Sequence, residues 1–280
     1  MTHLQALPVF YRPEQVAANP TSTSPSAGKP AAVVDSWAKL GIPLDIRTLA
    51  PLTRDQIKRA HDPAFVDALL NLDIDNGFGN RSAAVAASLP FTSGSMLAAA
   101  QEALRNGIGA VSPTSGFHHA GYDFASAYCS LNGLAIAAQN LPAGTRTGIL
   151  DLDQHDPNGV RDIIERLDLD IPLVHGRGSP ATAERWLEHL PALITSTFSG
   201  CDLLLVQLGA DPHIDDPLGG WLNDDQLRRR DRAVFETCRA MGLPVAWCLA
   251  GGYQRDAEGG IRPVLNVHDN TLIEAGKVWL

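Results

Sequence analysis

From about residue 147 onward, short unbroken apolar runs alternate with stretches whose apolar positions recur at helical spacing. Residues 147–152, 169–174, 202–208 and 244–250 read as strands. LLLVQL at 203–208 and VAWCLA at 245–250 are almost continuously apolar, as strands covered on both faces must be. Between them, residues 160–167, 182–197 and 224–241 read as amphipathic helices. Strands alternating with helices through short links predict a parallel-sheet α/β arrangement. Upstream the pattern is less regular. A helix is expected from near Pro30 through Trp37 to Leu40, a short strand at 46–49, and a helix opening with Pro63 at its first position. Residues 71–81, mixing Gly, Asn and Asp, read as a loop. An Ala-rich helix at 93–106, with Leu97, Ala100 and Leu104 on one stripe, precedes a loop at 114–123 and a second Ala-rich helical stretch to Gln139. The Ser/Thr/Pro-rich residues 21–30 read as a flexible surface loop.

Ligands of open α/β sheets bind beyond the carboxyl ends of the strands. Three of the predicted strands end in polar or glycine-rich clusters: DLDQHDPNG at 151–159, GADPHIDDPLGG at 209–220 and AGGYQRD at 250–256. In an extended segment Asp151, Asp153 and His155 share one face. The second cluster adds Asp211, His213, Asp215 and Asp216. A mixed Asp/His set suits zinc, and also iron or manganese, but is a poor calcium site. Spacing alone leaves one-metal and two-metal centres open; either would activate water and polarise a carbonyl, which makes hydrolysis the natural chemistry. The doublet His118-His119, between Gly116 and Ala120-Gly121, offers ligands or general bases that a carboxylate partner would orient. Tyr253 follows Gly251-Gly252, whose lack of side chains permits close approach, and its phenol can donate to a developing oxyanion. There is no H-E-x-x-H and no glycine-rich phosphate loop.

Composition narrows the field further. At 280 residues the chain has room for one large domain or two small ones, and its formal net charge of −9 argues against non-specific nucleic-acid binding. The run Arg228, Arg229, Arg230 is flanked by Asp224, Asp225 and Asp231 and reads as a solvated helix face. Four scattered cysteines without a C-x-x-C pair suggest reduced thiols in a cytoplasmic protein. Neither a signal peptide nor a run of 18 apolar residues is evident, so no membrane span is expected.

Taken in order, HHA at 118–120, DLDQH at 151–155, GADPHIDDPLGG at 209–220 and GGY at 251–253 resemble the zinc-dependent histone deacetylase family, which includes the bacterial acetylpolyamine amidohydrolases. AHDPAFVDAL at 60–69, Ser93-Gly94-Ser95 and AYCSLNGLAIAA at 127–138 extend the resemblance over most of residues 60–260. It implies one domain over 1–280 with the three-layer α/β/α arginase-deacetylase fold, around a mostly parallel sheet of about eight strands. It implies one Zn2+ per chain, with Fe2+ as the alternative, on Asp153, His155 and Asp211. His118 would pair with Asp151 and His119 with Asn158 as acid and base elements, and Tyr253 would polarise the acyl carbonyl. A structural K+ would sit near Asp151, Asp153 and His155. The substrate would be a small amine or acyl-lysine, in a pocket including Phe117, Tyr128, Gly251 and Gly252; a homo-oligomer is compatible with this.

Three departures stand beside the resemblance. Phe117 occupies the place of a glycine before the histidine pair, and Asp156-Pro157 replaces His-Gly after His155. HGRGSP at 175–180 replaces an aromatic- and glycine-rich loop, with no aromatic until Trp186. Phe117 is expected to narrow the cavity or shift its loop, and Pro157 to alter the local turn. With Tyr128 as one wall, the missing loop admits a shallower site, a wider substrate or a wall contributed by another subunit. The departures also motivate a second reading, a catalytically weak or inactive binding protein on the same fold. A third reading is a two-metal ureohydrolase-like centre using His213 and Asp215.

Overall fold

Seven parallel strands form one sheet in the computed structural model, which describes residues 3–18 and 22–280. They are β1 (Leu7–Phe10), β2 (Leu44–Arg47), β3 (Gly109–Ser112), β4 (Thr147–Asp151), β5 (Leu173–His175), β6 (Leu203–Gln207) and β7 (Val245–Cys248), in the order β2-β1-β3-β7-β6-β4-β5. The expected count was about eight; among the described residues the sheet has seven. Successive residues of the central strands serve opposite faces. Ile149, Leu203, Leu205 and Ala246 join one apolar core, while Leu150, Leu204, Val206, Val245 and Trp247 join the other.

Helices cover both faces. The first core packs against α2 (Arg54–Ile57), α3 (Pro63–Leu70), α4 (Ala83–Asn106), α5 (Gly133–Asn140) and α6 (Asn158–Arg166). The second packs against α1 (Lys29–Trp37), α7 (Ala183–Phe198), α8 (Asp224–Met241) and α9 (Arg262–Trp279), where Trp37, Trp247, Phe235 and Trp279 meet edge to face or tilted. The layers are α/β/α, as expected. The helix α4 is long and apolar enough to cross a membrane, but most of it is buried in the first core.

Several local expectations need correction. The helix α4 begins ten residues before the predicted start at 93, where Ser82 caps it by accepting from the Val85 N–H. Pro90 is accommodated inside it, and its carbonyl accepts from the Leu52 N–H. Thr21 lies outside the described residues. The rest of the predicted surface loop is partly interior: Ser24 is buried, and Lys29, already in α1, is wholly so.

Strand register puts the site in place. His175, Asp151, Gln207, Cys248 and Ser112 are successive register partners across β5, β4, β6, β7 and β3. This polar row marks where the apolar strands end and the functional loops begin.

Candidate active site

Beyond that row, each loop is held by bonds that its own sequence supplies. In the β4 loop, the Asp153 N–H donates to Asp151 Oδ1 (3.1 Å) and the His155 N–H to Asp153 Oδ1 (2.9 Å). This curls the segment so that Asp153 and His155 turn toward Asp211. The Gln154 N–H in turn donates to Asp211 Oδ1 (3.2 Å), and the Gly251 N–H to Asp153 Oδ2 (2.8 Å). Three strand-end loops thus converge on two carboxylates. Glycine is required at 251, because a Cβ there would lie 2.1 Å from Asp211 Oδ2.

Asp153, His155 and Asp211 each present one ligand atom, all within 4.8 Å of one another. His155 Nδ1 lies 3.1 Å from Asp211 Oδ2 and 3.2 Å from Asp153 Oδ1. Both carboxylates are buried. Burial and the neighbouring Asp153 charge push the Asp211 carboxyl up. For Asp153 burial opposes ionisation, but the His118 charge and hydrogen bonds from His155 prevail and hold its pKa far below the ordinary range. His155 is raised to about 10 by its hydrogen bonds to the two carboxylates. Two buried carboxylates pressed together require a positive partner, and a carboxylate–imidazole–carboxylate set with one side open fits a borderline divalent cation.

The histidine pair sits beside this cluster. His118 Nδ1 donates to Asp151 Oδ2 (2.9 Å), and His119 Nδ1 lies 2.6 Å from Asn158 Oδ1. The first two free N–H groups after Asn158 at the start of α6, those of Gly159 and Val160, donate to the His118 carbonyl at 2.9 and 3.1 Å. Pro157 precedes that helix, so its missing donor costs nothing there. The two rings are driven apart electrostatically. Burial disfavours a charged His118, but the Asp151 and Asp153 carboxylates override it and raise its pKa to about 9. Burial and the adjacent His118 lower that of His119.

Tyr253 completes the arrangement. Its N–H donates to Asp216 Oδ2 (2.8 Å), and burial, with the Asp211 and Asp153 charges, raises its pKa far above that of free tyrosine, so the phenol stays a donor. His118, His119, Asp153, His155, Gly251, Tyr253 and Tyr128 line one cavity.

Other predicted residues fall elsewhere. Phe117 is buried, its N–H bonded to Gln207 Oε1 (2.9 Å), and it lines a neighbouring cavity instead; the small Gly133 leaves room for its ring. Gly252 faces Val264 and Ala210, away from the catalytic cavity. His213 accepts from the Asp215 N–H and approaches Asp224 at 3.3 Å, while the Asp215 side chain is 78% exposed, so neither joins the metal-ligand cluster. At the expected cation position near Asp151, Asp153 and His155, the Asp151 and Asp153 carbonyls accept from the Gly176 N–H (2.8 Å) and from His175 Nε2 (3.2 Å).

Four supporting residues escaped the sequence reading. Gln207, the one polar residue in an apolar strand and therefore detectable, donates to Asp151 Oδ2 (3.3 Å). His61, held neutral by burial with a pKa near 4, bonds the Gly121 carbonyl (2.8 Å) and accepts from the Asn132 N–H (2.9 Å), fixing the loop beyond the histidine pair. Lys29 Nζ donates to the carbonyl of Ala250, whose φ of 90° marks local strain beside Gly251. Arg230 is also buried, and its Nη1 donates to the carbonyls of Leu152 and Gly209, both at 3.0 Å. It does not lie on a solvated face.

Fold and site together define a parallel α/β protein with an Asp/His cluster able to hold a metal ion and a histidine pair at its strand ends. The histone deacetylase domain matches residues 26–171, and the chain belongs to that family. An uncharacterised protein from Picosynechococcus is 31% identical over 201 residues, 63% of each chain. Acetylpolyamine amidohydrolase 1 from Pseudomonas aeruginosa is 30% identical over 181 residues, 51% of this chain and 50% of that one. The match thus spans between half and two thirds of these relatives. Among solved structures, an acetylpolyamine aminohydrolase from Burkholderia pseudomallei superposes with a TM-score of 0.74 at 19% identity, over 98% of this chain and 99% of that one. The HD domain of HDA15 gives 0.77 at 18% identity, over 99% and 91%, and both show the shared fold. The family implies a metal cofactor, and Asp153, His155 and Asp211 are the residues placed to hold it.

Proposed function

We propose that the protein is a zinc-dependent deacetylase-type amidohydrolase, one ion per chain on Asp153, His155 and Asp211, acting on a short acyl amide of a small amine or lysine side chain. The observation that carries this reading is that Asp211 gathers with Asp153 and His155, which share one cavity with His118, His119 and Tyr253. When bound, zinc supplies water activation and carbonyl polarisation. His119, with its lowered pKa, takes a proton from the attacking water. His118, kept protonated by Asp151, gives a proton to the departing amine, and Tyr253 donates a hydrogen bond to the developing oxyanion. The products are a short carboxylate and a free amine.

The substrate class rests on the shape of the rim. Tyr128 forms one wall, with strained backbone at Ala127 and Tyr128 (φ 43° and 68°). Residues 175–180 supply no aromatic side chain to a second wall, and Trp186 and Trp221 pack on each other at 5.0 Å. This supports extending the reading to amines wider than a slender acyl-lysine stem. Four free cysteines, three of them buried, support a cytoplasmic setting. Zinc-loaded protein should hydrolyse members of a panel of acetylated polyamines and acyl-lysine peptides. No turnover on any member at full zinc occupancy would favour the inactive binding-protein reading.

A further inference from the structure

We propose that the His175 imidazole replaces a structural monovalent cation in this chain, its Nε2–H capping the Asp153 carbonyl and so positioning the Asp153 ligand. The proposal starts from strand register, which sets His175 beside Asp151 at the last pair of β4 and β5. From there its ring reaches along the curled segment, and Nε2 lies 3.2 Å from the Asp153 carbonyl oxygen. A carbonyl can only accept, so this nitrogen carries the hydrogen. Nδ1 faces Asp156 Oδ1 at 3.8 Å, and the side chain is 13% exposed.

A cation under this segment would draw on the same oxygens, since K+ is held by carbonyls that replace its water. Three consecutive carbonyls each accept a donor of the chain: Asp151 from the Gly176 N–H, Leu152 from Arg230 Nη1 and Asp153 from His175 Nε2. The Asp151 carboxylate likewise accepts from the Asp153 N–H, the Gln207 amide and His118. Donors from the chain itself thus reach each of these oxygens, which lowers what an ion would gain from them, and β5 adds the His175 N–H beside them. His175 is a positioning residue, because it acts through Asp153.

The test has two arms. In the first, metal-stripped wild-type protein is melted in potassium chloride and in choline chloride at equal ionic strength. The midpoints should coincide, and a midpoint raised by potassium overturns the proposal. The second arm, which rests on the proposed zinc site, measures zinc affinity by competition with a chromophoric chelator. His175→Ala should weaken binding by about 10- to 100-fold, as loss of a partner behind a ligand does. His175→Gln, which keeps an N–H donor, should restore most of it. Wild-type affinity in His175→Ala, or no recovery in His175→Gln, overturns the proposal. If His175→Ala does not fold, the potassium arm still decides. If wild-type protein binds no zinc, the metal-centre reading fails, while the potassium arm judges His175 separately.

Discussion

Replacing Arg230 with methionine should be among the most damaging single changes outside the proposed metal ligands. The guanidinium is 1% exposed, its Nε pairs with Asp231 Oδ1 at 2.7 Å, and its Nη1 serves the Leu152 and Gly209 carbonyls. Methionine fills similar space but leaves the Asp231 carboxylate buried with Thr271 as its remaining side-chain partner, and leaves two interior carbonyls without this donor. Breaking a buried ion pair from one side costs about 3–5 kcal/mol. With an unfolding entropy of about 2.1 cal/mol/K per residue, that corresponds to a fall in Tm of about 5–9 °C for a chain of this size. Asp231 already has a raised pKa, chiefly from burial against the opposing pull of Arg230, and loses that counter-charge in the variant. Its folded state then binds a proton more readily than the unfolded chain, so the deficit should shrink as pH falls. Urea and thermal unfolding at two pH values measure both effects. Arg230→Met/Asp231→Leu, which removes both charges, should recover most of the loss. A single variant costing under about 1 kcal/mol, a typical exposed pair's worth, would refute the reasoning.

The remaining expectations concern the chemistry. Tyr253→Phe should lower kcat by about 10²–10³-fold while zinc content is unchanged, since it removes one oxyanion donor; metal loss in this variant would contradict the role. Activity should rise as His119 loses its proton below its ordinary pKa of 6.5 and fall as His118 loses its own near pH 9. In Asp151→Asn the alkaline limb of that pH–rate profile should move to lower pH, and an unmoved limb would break the assignment. Gly251→Ala should abolish metal binding, because its methyl carbon would lie 2.1 Å from Asp211 Oδ2; a chelator titration showing wild-type affinity would contradict the geometry.

Much of the carboxyl half was legible because its strands are long apolar runs closed by polar clusters. The helix α8 matches residues 224–241 to the residue, framed by Asn223 as its cap and Gly242 in the left-handed region. The candidate metal cluster was legible for the same reason: Asp153 and Asp211 lie in the polar segments that follow apolar strands. The four-residue strands β1 and β3 carry too few positions to show a period. The helix α9 was obscured because His268, Thr271 and Glu274 lie on its buried side and interrupt the apolar stripe. Lys29, His175 and Arg230 were hidden for a different reason. Nothing in their sequence settings, AGKPA, LVHGR and RRRDR, marks a role, and only tertiary packing shows that each donates to a main-chain carbonyl behind the site. Phe117 shows the converse, since proximity in sequence to His118 does not fix the direction of its ring.

Metal content of purified protein tests the central claim most directly. Elemental analysis after zinc loading and removal of loosely held metal should find one ion per chain in the wild type and almost none in Asp211→Ala. An empty wild type, or an Asp211→Ala variant that keeps its ion, would contradict the assignment of Asp153, His155 and Asp211 as the metal centre.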